Sequence, residues 1–272
     1  MAASAVFVHG LAKKPPLAKL KEIWLWGLSR HDPRPDVFRP PNKGIDVSVF
    51  EPFFNYYADV YYGEEYETEF DSYYEAVAGV RVDLKAEDEI KAEALDRVEK
   101  ELPLPKGITP RERRFIHNLE AKLATNPGML APKPKKKDEL EIAAWLPGPW
   151  KQAIIKKAAM EAYYFLFNKE YVRKDGARFM VREELRKRLL KELDAAAARS
   201  GKIVLVTHSM GTMVAYDVLR NCPECPPVDT LFTLGSPLGI TEVQDELIAE
   251  GEKKIDFPAA KLKRWINIYD PL

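Results

Sequence analysis

Five short runs of apolar and β-branched residues recur along the chain, and each is bounded by residues typical of turns. They span residues 5–10, 53–63, 202–209, 229–237 and 264–271. Continuous apolar runs of this length are typical of strands that are buried on both faces, as in a parallel sheet. The pattern therefore predicts five strands, one pair near the start of the chain and three near its end.

Helical spacing appears between these runs. Apolar residues recur at 17, 20, 23, 24 and 28 after Pro15 and Pro16, and a second stripe at 185, 189, 193 and 197 leads into the run at 202. Strand and helix thus alternate. We predict an α/β fold whose sheet is mostly parallel and is flanked by helices on both faces.

The alternation is interrupted between residues 64 and 180. This interval contains helical patterns at 86–102 and 109–124, and the second begins with Thr109, Pro110 and Glu112, a helix start signal. It is too long for a loop. We therefore expect an α/β core formed by residues 1–63 and 181–272, with a helical cap insertion at 64–180.

Within the insertion, the segment AAMEAYYFLF at 158–167 is apolar nearly all round. Two interpretations follow. The segment is either a helix packed into the core or part of a cap whose aromatic surface lines an apolar substrate pocket. The proline-rich stretch at 31–44 is interpreted as an ordered connection between the first helix and the second strand.

Composition and charge narrow the class of protein. The chain is 46% apolar and 31% charged, and its 42 basic side chains equal its 42 acidic ones, so no net field attracts nucleic acid or anionic lipid. The basic run at 133–137 is better explained as a solvated loop than as a nucleic-acid contact. No apolar run approaches the roughly 20 residues of a membrane span. The N-terminus lacks the basic region of a signal peptide, which favours a cytoplasmic protein.

Cys222 and Cys225 are the only cysteines. A CxxC pair can be a redox centre or half of a metal site, but no second pair accompanies this one and no thioredoxin-like context surrounds it. We therefore expect two reduced thiols in the turn that follows a helix.

The segment VTHSMGT carries the strongest chemical signal. Ser209 stands where a buried strand runs into an amphipathic helix, and the small residues Thr207 and Gly211 lie two positions to either side. The pattern is the nucleophile elbow GxSxG with threonine in place of the first glycine. A serine hydroxyl is a weak nucleophile, and catalysis needs it exposed at such a turn with backbone amides facing the developing oxyanion.

Together with FVHGLA at 7–12, TLGSPLG at 233–239 and WINIYDPL at 265–272, this segment resembles the α/β-hydrolase superfamily, of the lipase and esterase type. The resemblance covers both ends of the chain and does not extend to the insertion at 64–180. It implies a serine hydrolase that cleaves a small-molecule carboxylic ester without a metal or organic cofactor. The aromatic insertion favours an apolar or lipid-like ester.

The resemblance also implies roles for individual residues. Ser209 would be the nucleophile, the backbone amides of Leu11 and Met210 would form the oxyanion hole, and Asp270 would be the acid that follows the serine in the chain order of this superfamily. The supporting residues would be His9, Gly10, His208, Gly211 and Ser236. Asp59 ends a predicted strand and is a buried acceptor, a pocket wall or an alternative acid.

The same chain order requires a histidine after Asp270, and the sequence has none there. His31 should lie at the opposite sheet edge from Ser209, and His117 falls about 200° from the apolar stripe of its helix. Two explanations remain open. Either the natural chain continues past Leu272 and supplies the histidine, which we favour, or the protein is a non-catalytic α/β-hydrolase-fold binding protein.

Overall fold

The computed structural model describes residues 3–11, 14–30, 43–63, 95–96, 98–100, 102–125, 148–248, 252 and 254–268. Several predicted features lie outside these residues. They are Asp270, His31, the basic run at 133–137 and all but the last two residues of the stretch at 31–44. Of the helix predicted at 86–102, residues 95–96, 98–100 and 102 are described; the first five of these are helical, whereas Leu102 lies in a bend.

A five-stranded sheet, parallel throughout, forms the centre of the molecule. In chain order the strands are β1 (Ala3–Val8), β2 (Phe50–Asn55), β3 (Glu170–Val172), β4 (Arg178–Met180), β5 (Ile203–His208), β6 (Val228–Leu234) and β7 (Leu262–Ile268). The sheet order is β2-β1-β5-β6-β7, while β3 and β4 form a separate antiparallel hairpin. The predicted α/β fold with a parallel sheet is confirmed.

The strand register brings the ends of the central strands together at one edge. Val8 of β1 is aligned with Thr207 of β5, and His208 is aligned with Leu234 of β6. Because the strands are parallel, their carboxyl ends share this edge, which is where open α/β sheets bind ligands. Ser209 follows the central strand directly.

Helices cover both faces of the sheet. They are α1 (Leu17–Ser29), α2 (Ala58–Tyr62), α3 (Pro110–Thr125), α4 (Gly148–Leu166), α5 (Val181–Arg199), α6 (Met210–Asn221) and α7 (Thr241–Leu247), with short 3-10 turns at Val47–Val49 and Pro237–Gly239. On one face, Trp24 of α1 packs edge-on against Phe7 with ring centroids 5.7 Å apart. The opposite face carries the main core, in which α3 to α7 contribute buried side chains.

The predicted strand at 53–63 is wrong beyond its first three residues. The strand ends at Asn55 and the chain then forms α2, whose end is marked by Gly63 at φ 68°. Tyr57 and Tyr61 are buried at the helical spacing of four residues, with 1% and 2% of their surface exposed. The aromatic run satisfied both periods, and burial of these two rings explains why the helix is adopted.

The predicted start of α3 is confirmed as a capping box. The backbone N–H of Thr109 donates to Glu112 Oε2 at 2.8 Å, and the N–H of Glu112 donates to Thr109 Oγ1 at 3.2 Å. The two side chains therefore satisfy amide donors that the first turn of a helix cannot pair internally.

The interval 64–180 is not purely helical in its described part, because the hairpin of β3 and β4 occupies its end. Its helices α3 and α4 bury their apolar faces in the main core. Within the described ranges, none of the helices combines the length and the apolar character that a membrane crossing requires.

Asp217 links the helices behind the sheet. This carboxylate is fully buried on α6 and accepts hydrogen bonds from Arg182 and Arg186 of α5, with distances of 2.5 to 3.1 Å. Arg182 also donates to the carbonyls of Leu166 and Glu246. The two guanidinium groups lower the pKa of the Asp217 carboxyl although burial alone would raise it. One ion cluster thus connects α4, α5, α6 and the end of α7.

Candidate functional site

Ser209 adopts an uncommon backbone conformation between β5 and α6. Its φ is 50° and its ψ is −122°, and in the part of the chain that the structure describes only Asn168 is another non-glycine residue with positive φ. Its amide donates to Leu234 O at 2.9 Å, while its carbonyl accepts from Thr212 N and Oγ1 at 3.0 and 2.7 Å. Such a conformation costs about 1–3 kcal/mol and persists where the surroundings enforce it. These bonds hold the sharp turn predicted for an elbow.

Two glycines allow the loop after β1 to approach the elbow. A Cβ atom at Gly211 would lie 2.5 Å from His9 O and 2.8 Å from Val8 O, and one at Gly10 would lie 2.8 Å from Ser209 Cβ. All three distances are shorter than non-bonded atoms tolerate. Glycine is therefore needed at both positions to bring the backbone of the β1 loop against Ser209.

His9 orients the peptide group between Gly10 and Leu11. Its Nε2 accepts from Tyr57 N at 3.0 Å, so Nδ1 carries the proton and donates to Gly10 O at 2.8 Å. In a planar trans peptide the C=O and N–H point in opposite directions. By holding Gly10 O, the imidazole turns the Leu11 amide the other way.

The same ring is held neutral. His9 is 2% exposed and stacks on Tyr57 with ring centroids 4.0 Å apart. Burial, with a smaller contribution from the Lys14 ammonium, lowers the pKa of His9 to about 3. An imidazole with both nitrogens hydrogen-bonded and so low a pKa cannot serve as the general base at neutral pH.

Lys14 braces the same loop from its other side. Its ammonium donates to Leu11 O, and burial lowers the pKa of Lys14 to about 8 despite the nearby Glu161 carboxylate. Glu161 is itself 1% exposed and accepts a hydrogen bond from the Tyr62 hydroxyl. The loop that carries the predicted oxyanion donor is therefore held by hydrogen bonds from Tyr57 and Lys14.

The backbone amides of Leu11 and Met210 donate to no acceptor among the described residues. Met210 is the first residue of α6, where a helix has free N–H groups and a partial positive charge. An anionic oxygen next to Ser209 would meet such donors.

An apolar pocket opens beside Ser209. Two helices of the insertion form part of its lining, through Leu119 and Leu123 of α3 and Ala158 and Ala162 of α4. The other residues that line it with Ser209 are Leu11, Met213, Gly235, Pro237 and Val243. The cavity volume is about 20 Å³, which is about the space that one water molecule requires. The pocket is thus narrow and almost free of polar groups apart from the serine.

Ser209 is 8% exposed and lines this pocket. Within the described ranges its hydroxyl has no hydrogen-bond partner, whereas Thr212 and Ser236, one helical turn and one strand away, pair their hydroxyls at 2.9 Å. Among the described residues that line the pocket, Ser209 alone carries a side-chain hydroxyl, and this group is free to react or to bind.

The other described histidines, His117 and His208, form no described hydrogen bond with Ser209. His117 is exposed on α3, as its position relative to the apolar stripe predicted. By strand alternation His208 shares a face with Val206, which packs in the cluster beneath α1, whereas the pocket residues belong to the main core. The ring of His208 lies between the strand ends, since a Cβ at Gly10 would be 2.7 Å from its Nδ1.

The remaining candidates occupy defined places. Ser236 accepts from Leu238 N at 3.3 Å and caps the 3-10 turn that borders the pocket. Asp59 forms an ion pair with Arg188 on α5. Of the three roles predicted for Asp59, this contact corresponds to that of an acceptor.

Cys222 and Cys225 are unpaired and buried, and burial raises the pKa of Cys225 to about 12. No metal-binding group of three or more ligands exists in the described ranges.

Sequence patterns missed the residues that shape the pocket. Tyr163, Tyr164 and Phe165 are buried in the core, while the alanines at 158 and 162 face the serine. Of the two interpretations of this segment, packing into the core is confirmed, and the part of the helix that lines the pocket carries small side chains. The spacing of four between the alanines was the available signal, but α4 is apolar all round and its pattern does not say which face meets the site.

The chain matches no family model, no curated protein and no solved structure.

Proposed function

We propose that the protein is a serine hydrolase that cleaves a small-molecule carboxylic ester through an acyl-enzyme on Ser209. The observation that carries the proposal is the elbow itself. A non-glycine residue is held at positive φ, its hydroxyl faces an apolar pocket, and two backbone amides beside it have no acceptor in the described structure. Each of these features is needed for attack on a carbonyl carbon.

The reaction would proceed in two steps. Ser209 Oγ forms a bond to the carbonyl carbon, and the amides of Leu11 and Met210 donate to the oxyanion of the tetrahedral intermediate. The bond to the alcohol oxygen then breaks, and the serine proton passes through a general base to the departing alcohol. Water attacks the acyl-enzyme in the second step, which releases the carboxylic acid and restores the serine hydroxyl.

Asp270 retains its assignment as the acid that orients the base, by its position after β7. The base itself is not assigned to His9, whose two nitrogens are bonded, nor to His117, which is exposed on α3, nor to His208, which has no described hydrogen bond to Ser209. The proposal therefore assigns the nucleophile to Ser209, and the general base is a residue other than these three histidines.

Labelling with a fluorophosphonate probe tests the proposal. The probe reacts with activated serines, forming an Oγ–P bond and releasing fluoride, and we expect one label per chain at Ser209. The label should disappear in Ser209→Ala. The matched control is Ser200→Ala, because Ser200 is also buried but lies at the opposite edge of the sheet. Absence of labelling in the folded wild-type protein would refute an activated serine.

A binding protein is the second candidate. It is favoured by one observation, namely that no described histidine or carboxylate contacts Ser209 Oγ. In that case the pocket would bind a small apolar ligand without chemistry. Binding of such a ligand would then shield the pocket residues of the folded protein from solvent. The fluorophosphonate would not label the protein.

A further inference from the structure

The side chains that line the pocket beside Ser209 determine its shape. Ala158 and Ala162 are one helical turn apart on α4, so their methyl groups face the same direction and leave a shallow groove. Leu119 and Leu123 of α3, which have the same spacing, close the groove from the other side. Met213 of α6 lies one turn into the helix that starts at the serine.

Ser209 determines how an acyl group would be oriented in this groove. The residue is more than nine-tenths buried, its hydroxyl has no partner among the described residues, and it lines the groove together with the two alanines. A carbonyl carbon bonded to Oγ would place one of its substituents next to the alanines. The apolar walls offer that substituent no hydrogen-bonding group.

The free space limits the size of the substituent. A cavity of about 20 Å³ compares with roughly 300–1,000 Å³ for pockets that enclose drug-sized ligands. It has space for about one water-sized group. A long acyl chain would have to displace Leu119 or Leu123, which are 2% and 5% exposed and packed in the main core.

From these contacts we infer that the pocket is an acyl subsite for short chains, such as acetyl, and that Leu123 on α3 and Ala162 on α4 set this limit. The inference rests on the proposed function, since it assigns a substrate class to the same serine. It also replaces the lipid-like substrate expected from an aromatic cap, because the rings of α4 do not reach the pocket.

A series of p-nitrophenyl esters tests the limit. During acylation the Ser209 Oγ–C bond forms and the C–O bond to p-nitrophenolate breaks, so both the released p-nitrophenolate and the mass of the acyl-enzyme can be followed. For the wild-type protein, acetate should react at least about tenfold faster than octanoate, since a single methylene in a pocket of fixed size changes rates by about tenfold or more.

Two variants should change the reaction rates in different ways. Leu123→Ala enlarges the groove and should reduce the ratio of acetate to octanoate rates by about tenfold. Ala162→Val fills the groove and should slow even the acetate reaction by a similar factor. The matched control is Leu185→Ala, which truncates a buried leucine of α5 that does not line the pocket and should leave the ratio unchanged.

The outcomes separate the two proposals. Octanoate reacting as fast as acetate, or an unchanged ratio in Leu123→Ala, would overturn the short-chain subsite while fluorophosphonate labelling still supported the hydrolase. Labelling of Ser209 without acylation by any ester would also overturn the subsite. Failure of both the probe and the esters to modify the folded protein would remove the hydrolase and the subsite together.

Discussion

At the scale of single residues, the site depends on backbone geometry more than on side-chain pairs. Ser209 has a strained φ, and His9 acts on a carbonyl whose peptide carries the Leu11 amide. Both features affect stability independently of any reaction. They can therefore be measured whether or not a substrate is known.

Ser209→Gly should stabilise the protein while removing its proposed activity. Glycine adopts positive φ without a Cβ penalty, so the free energy of unfolding should exceed that of Ser209→Ala by about 1–3 kcal/mol. Both variants lack the hydroxyl, and their difference isolates the backbone. The measurement is the urea midpoint at constant slope; equal midpoints would mean that the elbow stores no strain.

His9 should make stability depend on pH in acid. Its pKa falls from 6.5 to about 3 in the fold, so between these values only the unfolded chain binds the proton. The free energy of unfolding should therefore decrease as pH falls through this window, by about 1.4 kcal/mol per pH unit. In His9→Asn, which retains a donor for Gly10 O, this contribution should disappear. If the stability curves of the two proteins stay parallel between about pH 6 and about pH 4, a window that lies between the two pKa values, the assignment is contradicted.

At the scale of elements, local sequence signals predicted the structure correctly where the burial of the side chains favours the same structure. The capping box at Thr109 and the elbow at Ser209 appear as expected because each depends on a few neighbouring residues. The run at 53–63 satisfied both strand and helix periods, and only the tertiary burial of Tyr57 and Tyr61 decides between them. The face that α4 presents to the site was likewise not predictable, since every position of the segment at 158–166 is buried.

The contact between α6 and the β1 loop gives a test at this scale. Gly211→Ala would place a methyl group 2.5 Å from His9 O, so the backbone must shift and the variant should lose about 1–3 kcal/mol of stability. Gly27→Ala is the control, because Gly27 lies within α1 and a Cβ there meets nothing within 4 Å. That change should be neutral or stabilising by up to about 1 kcal/mol. Thermal unfolding compares the two, and equal effects would argue against the close approach.

At the scale of the whole molecule, a buried ion cluster joins the helices behind the sheet. Asp217→Asn would leave Arg182 and Arg186 without a carboxylate and should cost about 3–5 kcal/mol in unfolding free energy. Asp96→Asn is the control, because Asp96 forms an exposed pair with Lys100 and such pairs contribute about 0.3–0.5 kcal/mol. Denaturant titration measures both. A loss below about 1 kcal/mol for Asp217→Asn would mean that hydration compensates for the pair.

The pocket also has a kinetic consequence. Its walls come from residues near 11, 119–123, 158–162, 213 and 235–243, segments separated by long stretches of chain. Contacts of such high sequence separation form late, because loop closure must precede them. During refolding, a reagent that needs the enclosed serine would thus report the arrival of the native state and not the earlier collapse of the chain.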